Sequence, residues 1–225
     1  MSKSAAGSMS DWSGLLKDMF RQIDDGTITR NQLHSFVVKH ENPFAITDIR
    51  QEWQEFYRKY FRLTVDFTDV TIPESPDDFS RVVFIPQGLS YADIVKVLKK
   101  KFKVYLYTEN LDKGIRNDVR TSNQAYAVCF RERVEADEEW KNTSADMLKE
   151  KGINSITLME RLILELKYYD ETGEHLDISN VTLCAGSRHP VGVVPGVRWD
   201  GGWLQVDWCP FGIADGSLRV RVAVS

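Results

Sequence analysis

The sequence predicts an α+β protein in which a helical segment precedes a larger mixed domain. Two observations carry this prediction. Apolar residues recur at helical spacing through residues 9–61, whereas short alternating or apolar runs, typical of strands, surround a few amphipathic helices from residue 62 onward. We therefore expect a helical segment over 9–61 and one domain over 62–225. We interpret the first eight residues, "MSKSAAGS" (1–8), as a remnant of an expression vector.

The helical segment contains two clearly amphipathic stretches. "DWSGLLKDMFRQI" (11–23) places its apolar residues on one stripe, and "TDIRQEWQEFYRKYF" (47–61) carries aromatic residues at the same spacing. Between them, Thr29 followed by Gln32 resembles a capping box. This pattern predicts a further helix, which Pro43 ends.

The larger domain alternates between predicted strands and helices. Alternation or a short apolar run predicts strands at "RLTVDF" (62–67), "RVVFIP" (81–86), "KVYLYTEN" (103–110) and "QAYAVCFRERVE" (124–135). Helical spacing with caps predicts helices at "SYADIVKVLKKKF" (90–102), "SADMLKEKG" (144–152) and "SITLMERLILELKYYDETG" (155–173). Residues 81–110 are thus expected to form a strand–helix–strand unit.

The last thirty residues predict a hairpin and a final strand. Period-two alternation over 196–199 and 203–208, joined by "DGG" (200–202), is a strong hairpin signal. One face is expected to carry Val197, Trp199, Leu204, Val206 and Trp208, with the two tryptophans largely buried. Arg198, Asp200 and Asp207 are expected to share the other, exposed face. "LRVRVAV" (218–224) is predicted as a last strand with Arg219 and Arg221 on one side.

Composition limits the classes of partner. The net charge is −4 with scattered basic residues, so a nucleic-acid partner is not expected, and "KVLKKKFK" (96–103) is interpreted as the solvated side of a helix. No apolar run reaches the length of a membrane helix, so no membrane insertion is expected. The N-terminal residues lack the apolar core of a signal peptide, which predicts a cytoplasmic protein by default. The three cysteines share no close spacing, which predicts neither a disulfide framework nor a zinc site.

No motif for catalysis is recognisable. "GSRHPVG" (186–192) opens no helix and is therefore not a phosphate loop, and no G-x-S-x-G elbow is present. "EHLD" (174–177) is interpreted as a solvated helix end rather than a metal site, and "RVEADEEW" (133–140) as a solvated charged face. We therefore expect a protein that is not an enzyme, with no catalytic residues, no metal and no cofactor.

The mixed face of the predicted hairpin has two interpretations. It is either an exposed sheet face that is polar because it meets water, or a recognition surface. Tryptophan, arginine and aspartate together suit the second, because aromatic and arginine anchors carry most of the energy of an interface.

The stretches "NVTLCAGSR" (180–188) and "VPGVRWDGGWLQVDWCPFGIADGSLRVRVAVS" (194–225) resemble the variable proteins of diversity-generating retroelements, in particular archaeal and candidate-phyla bacterial members. The resemblance is clearest over 155–225 and extends to about residue 62. It implies a C-type lectin-like fold with small mixed sheets and two to three helices. It also implies a C-terminal variable region, about 186–217, that is rewritten at template adenines and displays a ligand-binding face without calcium.

Mutation of the adenines in an asparagine codon can produce many residue types but neither tryptophan nor glutamine. On this rule the permitted variable positions implied by the resemblance are His189, Val191, Val193, Gly196, Arg198, Asp200, Gly201, Asp207, Cys209, Phe211, Gly212, Ile213, Asp215 and Gly216. Trp203 joins this face, but it and Gln205 need another template codon or are fixed.

The first hypothesis is therefore a monomeric binding protein that recognises a protein or surface ligand. A second is an enzyme of the formylglycine-generating type on the same fold, for which Cys184 and Cys209 are the candidate cysteine pair at a copper site. A third is a structural or interaction module whose tail does not vary.

Overall fold

The computed structural model describes residues 9–26, 28–29, 33–34, 37, 48–115, 118–189 and 191–225. The chain divides into two compact units, 1–48 and 49–225. In the first unit, helix α1 (Met9–Asp24) confirms the first amphipathic stretch, and its apolar side chains Trp12, Leu15, Leu16 and Phe20 are exposed. The interpretation of residues 1–8, the capping box at Gln32 and the end at Pro43 lie outside the described residues.

Helix α2 (Ile49–Phe61) belongs to the second unit rather than to a separate N-terminal segment. Its aromatic side chains Trp53, Phe56 and Tyr57 are buried, and the Tyr57 hydroxyl donates a hydrogen bond of 2.7 Å to the carbonyl oxygen of Phe84. Because this stripe packs into the core of the larger domain, the boundary lies at residues 48–49 and not at residue 61.

The second unit is a mixed α+β domain. Its helices are α2, α3 (Tyr91–Lys101), α4 (Leu111–Gly114), α5 (Ala145–Glu150) and α6 (Leu158–Thr172), with one 3₁₀ turn at Glu138–Trp140. Its strands are β1 (Arg81–Ile85), β2 (Lys103–Leu106), β3 (Tyr126–Phe130), β4 (Val181–Leu183), β5 (Val193–Asp200), β6 (Trp203–Pro210) and β7 (Leu218–Arg219). Among the described residues, no helix is both long and apolar enough to cross a membrane.

The strands form two open sheets. β1 and β3 pair antiparallel, and the larger sheet has the order β2-β6-β5-β4-β7. The predicted strand–helix–strand unit over 81–110 has the expected elements, but β1 and β2 belong to different sheets. The strand predicted at 62–67 is absent, because this segment is irregular, although Phe67 is buried in the core.

Helix α6 forms the centre of the main core. It begins with a capping box between Thr157 and Glu160 and ends at Gly173, whose φ is +77°. Leu158, Leu162 and Leu166 are completely buried among side chains from β1, β3, α3 and the hairpin. The predicted helix and both of its ends are therefore confirmed.

The last residues only partly form the predicted strand. β7 covers Leu218 and Arg219, and single bridges at Val222 and Val224 pair with Ser155 and Cys129. The side chain of Arg221 is buried, and its guanidinium donates hydrogen bonds to three oxygen atoms inside the domain.

Candidate recognition face

The predicted hairpin is present and longer than expected. β5 and β6 pair over eight residues each, from Val193 opposite Pro210 to Asp200 opposite Trp203. The turn residues Gly201 and Gly202 have φ values of +57° and +81°. A two-residue turn of the type that matches the twist of a hairpin needs positive φ at both positions, which glycine adopts without steric cost.

The register divides the hairpin into two faces, because directly opposed residues project to the same side. The inner face carries Val197, Trp199, Leu204, Val206 and Trp208, as predicted. Val197, Leu204 and Val206 are buried in the main core. Trp199 and Trp208 are half-buried at its edge rather than largely buried, since each lies near an end of the sheet.

The outer face at the turn end of the hairpin is open to solvent. β2 pairs parallel with β6, which places Lys103 beside Trp203 and Tyr105 beside Gln205. Together with the outer residues of the hairpin, these form one surface, which we call the open face: Lys103, Tyr105, Arg198, Asp200, Trp203, Gln205 and Asp207. Trp203 is 42% exposed and Tyr105 is 49% exposed.

A polar network holds the centre of the open face. Arg198 donates from Nε to Oε1 of Gln205 at 3.1 Å, and its guanidinium lies 3.2 Å from the carboxylate of Asp200. At the edge, the Lys103 ammonium lies 5.7 Å from the centre of the Trp203 ring. Arg198, Asp200 and Asp207 therefore share a face as predicted, although only Asp200 is exposed and the other two are half-buried.

The outer face at the other end of the hairpin is covered. Val194 is buried in a second apolar cluster with Leu148 of α5, Leu183 of β4 and Leu218 of β7, and Gly196 is buried on the same face. A Cβ atom on Gly196 would lie 3.0 Å from Val181 Cγ1 and 3.2 Å from Cys209 Sγ. Gly196, and the half-buried Cys209 that faces it, therefore provide little or no contact surface, in contrast to the sequence prediction.

His189, Val191, Val193 and Phe211 lie at the far end of the hairpin, about 24 Å from the turn at the rise of an extended strand. The loop that carries Asp215 and Gly216 instead returns along the sheet to β4, where the backbone N–H of Val181 donates to the carbonyl oxygen of Ser217. The His189 ring packs edge-on against Trp208 at 5.1 Å, and Val191 is exposed beside it. Phe211 lies under the guanidinium of Arg188 and is followed by a mostly exposed loop containing Gly212, Ile213, Asp215 and Gly216. Val193 belongs to the inner side by register. The fifteen predicted positions therefore do not form one continuous patch.

A buried ionic cluster around Asp177 contacts the hairpin through the backbone of Trp199. The carboxylate of Asp177 accepts hydrogen bonds from Arg161, Arg221 and Thr182, and its carbonyl oxygen accepts from the backbone N–H of Trp199. The side chains of Asp177 and of its three side-chain partners are all buried. Burial acts to raise the pKa of Asp177, but the two arginines outweigh it and hold that pKa below its usual range.

The segment "EHLD" is therefore not a solvated helix end. The ring of His175 stacks on that of Trp199, with centroids 3.3 Å apart and planes within 7°, and its Nδ1 lies 2.8 Å from Glu165 Oε1. The prediction for "RVEADEEW" is also wrong at Asp137. This residue is buried, because its carboxylate accepts from Arg131 and from the backbone N–H of Val222.

The cysteines provide no reactive pair. All three are free, and burial raises the pKa of each thiol. Cys184 is buried in the main core, whereas Cys209 packs in the second cluster on the opposite side of the sheet. Among the described residues, no group of three His, Cys, Asp or Glu side chains is arranged to hold a metal ion.

Part of the open face was missed by the sequence analysis. Lys103 and Tyr105 come from a strand a hundred residues before β6, and only the parallel pairing brings them to this surface. The signal for their common face was present, since Lys103 and Tyr105 alternate with Val104 and Leu106.

Comparison of the chain with protein-family models, with curated proteins and with solved structures finds no match in any of the three.

Proposed function

We propose that this chain is a non-enzymatic binding protein with a C-type lectin-like fold, and that its recognition surface is diversified by a retroelement. The observation that carries the proposal is the open face itself. Two exposed aromatic rings, Trp203 and Tyr105, share this face with Arg198, whose guanidinium is held by Gln205 and Asp200. This composition is typical of binding hot spots.

The construction of the hairpin supports this proposal. Its inner face is fixed by the core and, through Trp199, by the cluster around Asp177. A surface held on a rigid scaffold loses little conformational entropy when it binds. Residues of the open face can then change without loss of the fold, which a diversified protein requires.

The partner we propose is a protein surface or another macromolecular ligand. The open face is a sheet surface rather than a cleft, and the exposed loop group around Phe211 and Ile213 lies at the far end of the same hairpin. Small molecules prefer concave pockets, whereas extended surfaces of this kind suit macromolecules.

The retroelement origin is tested at the encoding locus. We expect a nearby reverse transcriptase gene and a template repeat that matches the codons for the hairpin and the loop, differing at adenines. In sister loci, variation should concentrate at the open-face codons for Asp200 and Asp207 and spare those for Val197 and Val206. The assignment would be wrong if the locus lacked both the reverse transcriptase gene and the template repeat. It would also be wrong if sister loci varied equally at the open-face codons and at the codons for Val197 and Val206.

The scaffold and the binding function are tested by two libraries of the protein. Simultaneous randomisation of Arg198, Asp200 and Asp207 should leave most variants folded, whereas randomisation of Val197, Leu204 and Val206 should leave few. Protease resistance of displayed variants measures this difference. Selection of the first library against an immobilised model protein should then yield specific binders, and equal intolerance of both libraries would contradict the proposal.

A further inference from the structure

A second, unrelated surface feature is a cavity of about 430 Å³ between the end of α2, the turn at Gln87 and Gly88, and α3. Its volume is within the range of small-molecule sites. Five of its lining side chains are cationic: Lys59, Arg62, Lys96, Lys100 and Lys101. In a chain of net charge −4, this is a local concentration of positive charge.

Most of this charge is not neutralised by the protein. Within the described part of the chain, Arg62, Lys96 and Lys100 take part in no ion pair, and Lys59 alone of the five pairs with a carboxylate, that of Asp170. The single carboxylate that lines the cavity, Asp93, is engaged in the capping box with Ser90 at the start of α3. Like charges that line one cavity repel one another, and a bound anion would relieve this repulsion.

The backbone at Arg62 also indicates that positive charge at this cavity has a purpose. Its φ is +61°, in the left-handed region, where α2 ends and the N–H of Leu63 donates to the carbonyl oxygen of Tyr57 at 3.3 Å. Glycine is the usual residue at such a position, and a side chain there is strained. An arginine at this point therefore costs stability and adds a cation to the cavity wall.

The cavity also has an aromatic wall. The ammonium groups of Lys59 and Lys101 lie 4.9 and 5.2 Å from the centre of the Tyr60 ring. Its hydroxyl donates to Asp170 at 2.5 Å, which fixes the ring. Val97 and Leu63 complete an apolar part of the lining.

We propose that this cavity binds a polyphosphate anion. A single phosphate group covers only a small part of this wall, whereas a chain of phosphates can contact cations contributed by both α2 and α3. Inorganic polyphosphates and nucleoside polyphosphates share this chemistry. The site is separate from the open face, since none of its lining residues belongs to that face.

The proposal is tested with the full chain by calorimetric titration of inorganic triphosphate, ATP and AMP at low and at physiological ionic strength. We expect triphosphate and ATP to bind in a salt-sensitive manner and AMP to bind at least tenfold more weakly. Equal affinity of triphosphate and ATP assigns the site to the phosphate chain alone, whereas tighter binding of ATP adds the nucleoside; both support the proposal. Absence of binding by both, or AMP as tight as ATP, would overturn it.

Matched variants separate binding from folding. Lys100→Gln should weaken triphosphate binding about tenfold through loss of one charge-assisted contact. Lys99→Gln removes the same charge from the same helix outside the cavity and should change affinity less than about twofold. Arg62→Gly should also weaken binding about tenfold while the thermal midpoint stays equal or rises, because glycine relieves the backbone. Equal losses in the Lys99 and Lys100 variants would overturn the proposal.

Discussion

Arg161 donates from Nε to Oδ2 of Asp177 at 2.8 Å, and neither side chain has exposed surface. The same carboxylate accepts from Arg221, so one anion holds two buried guanidinium groups. The backbone carbonyl oxygen of Asp177 accepts a hydrogen bond from the N–H of Trp199. This contact connects the core to the hairpin that carries the open face.

We expect Asp177→Asn to lower the free energy of unfolding at neutral pH by about 3–5 kcal/mol, because it leaves the buried Arg221 without its paired carboxylate and Arg161 with Glu165 alone. Denaturant unfolding measures this loss. Asp200→Asn, which removes a carboxylate from an exposed pair with Arg198, should change stability by less than about 1 kcal/mol. Similar losses in both variants would contradict the structural role of Asp177.

The contribution of Asp177 should also depend on pH in a definite direction. The arginines hold the folded-state pKa of Asp177 below its usual value of about 3.9. Its stabilisation is therefore fully present above that unfolded value and is lost as the pH falls through the lower folded value. The difference in unfolding free energy between the native chain and Asp177→Asn should be constant from pH 7 to 5 and shrink in strong acid.

The local elements were predictable because their signals are local. The capping box at Thr157, the stop at Gly173 and the Asp200–Gly201 turn signal each act within a few residues. The division of the hairpin into two faces follows from period two alone. The assignment of β5 and β6 residues to the two faces is accordingly the one that the sequence indicated, although the burial of Gly196 and the partial burial of Cys209 are not.

The composition of the open face was less predictable because it depends on pairing between distant segments. Tyr105 reaches this surface only through the parallel pairing of β2 with β6, and Gly196 is closed off by the side chains of Val181 on β4 and Cys209 on β6. The buried cluster was missed for a related reason. Charged residues such as Arg161 and Asp177 are rarely buried unless paired, and the partners of Asp177 lie 16 and 44 residues away.

The contribution of Asp118 to stability should depend on pH in the direction opposite to that of Asp177. Burial raises its pKa to about 6, although Ser187 and Tyr91 donate hydrogen bonds to its carboxylate. A raised carboxyl pKa gives stability that is present below about pH 4 and lost as the pH rises through 6. Since an asparagine side chain at this position does not titrate, we expect Asp118→Asn to gain about 2–3 kcal/mol relative to the native chain between pH 4 and pH 7. Denaturant unfolding across this range measures the gain, and identical pH slopes for the two proteins would refute this assignment.

Gly186 is required by close packing of backbone. A Cβ atom there would lie 2.5 Å from the carbonyl oxygen of Ser155 and 2.9 Å from that of Ile156. Gly186→Ala should therefore destabilise the domain by at least about 2 kcal/mol, since neither backbone atom can rotate away. In Gly212→Ala the nearest atom to the new methyl group is 4.0 Å away, and thermal unfolding of this control should shift little. A tolerant Gly186→Ala variant would show that the β4 loop can move.

Trp199 and Trp203 lie on opposite faces of the same hairpin and provide the most direct test of its division into scaffold and open face. Trp199 stacks on His175 and packs edge-on against Phe102 at 5.7 Å, so Trp199→Ala should cost about 3 kcal/mol of stability. Trp203 is exposed and is contacted by Lys103, so Trp203→Ala should cost less than about 1 kcal/mol. Denaturant unfolding of the two variants measures the two losses in unfolding free energy. If Trp203→Ala proved the more destabilising, Trp203 would be part of the scaffold, and the open face would lose its central aromatic anchor.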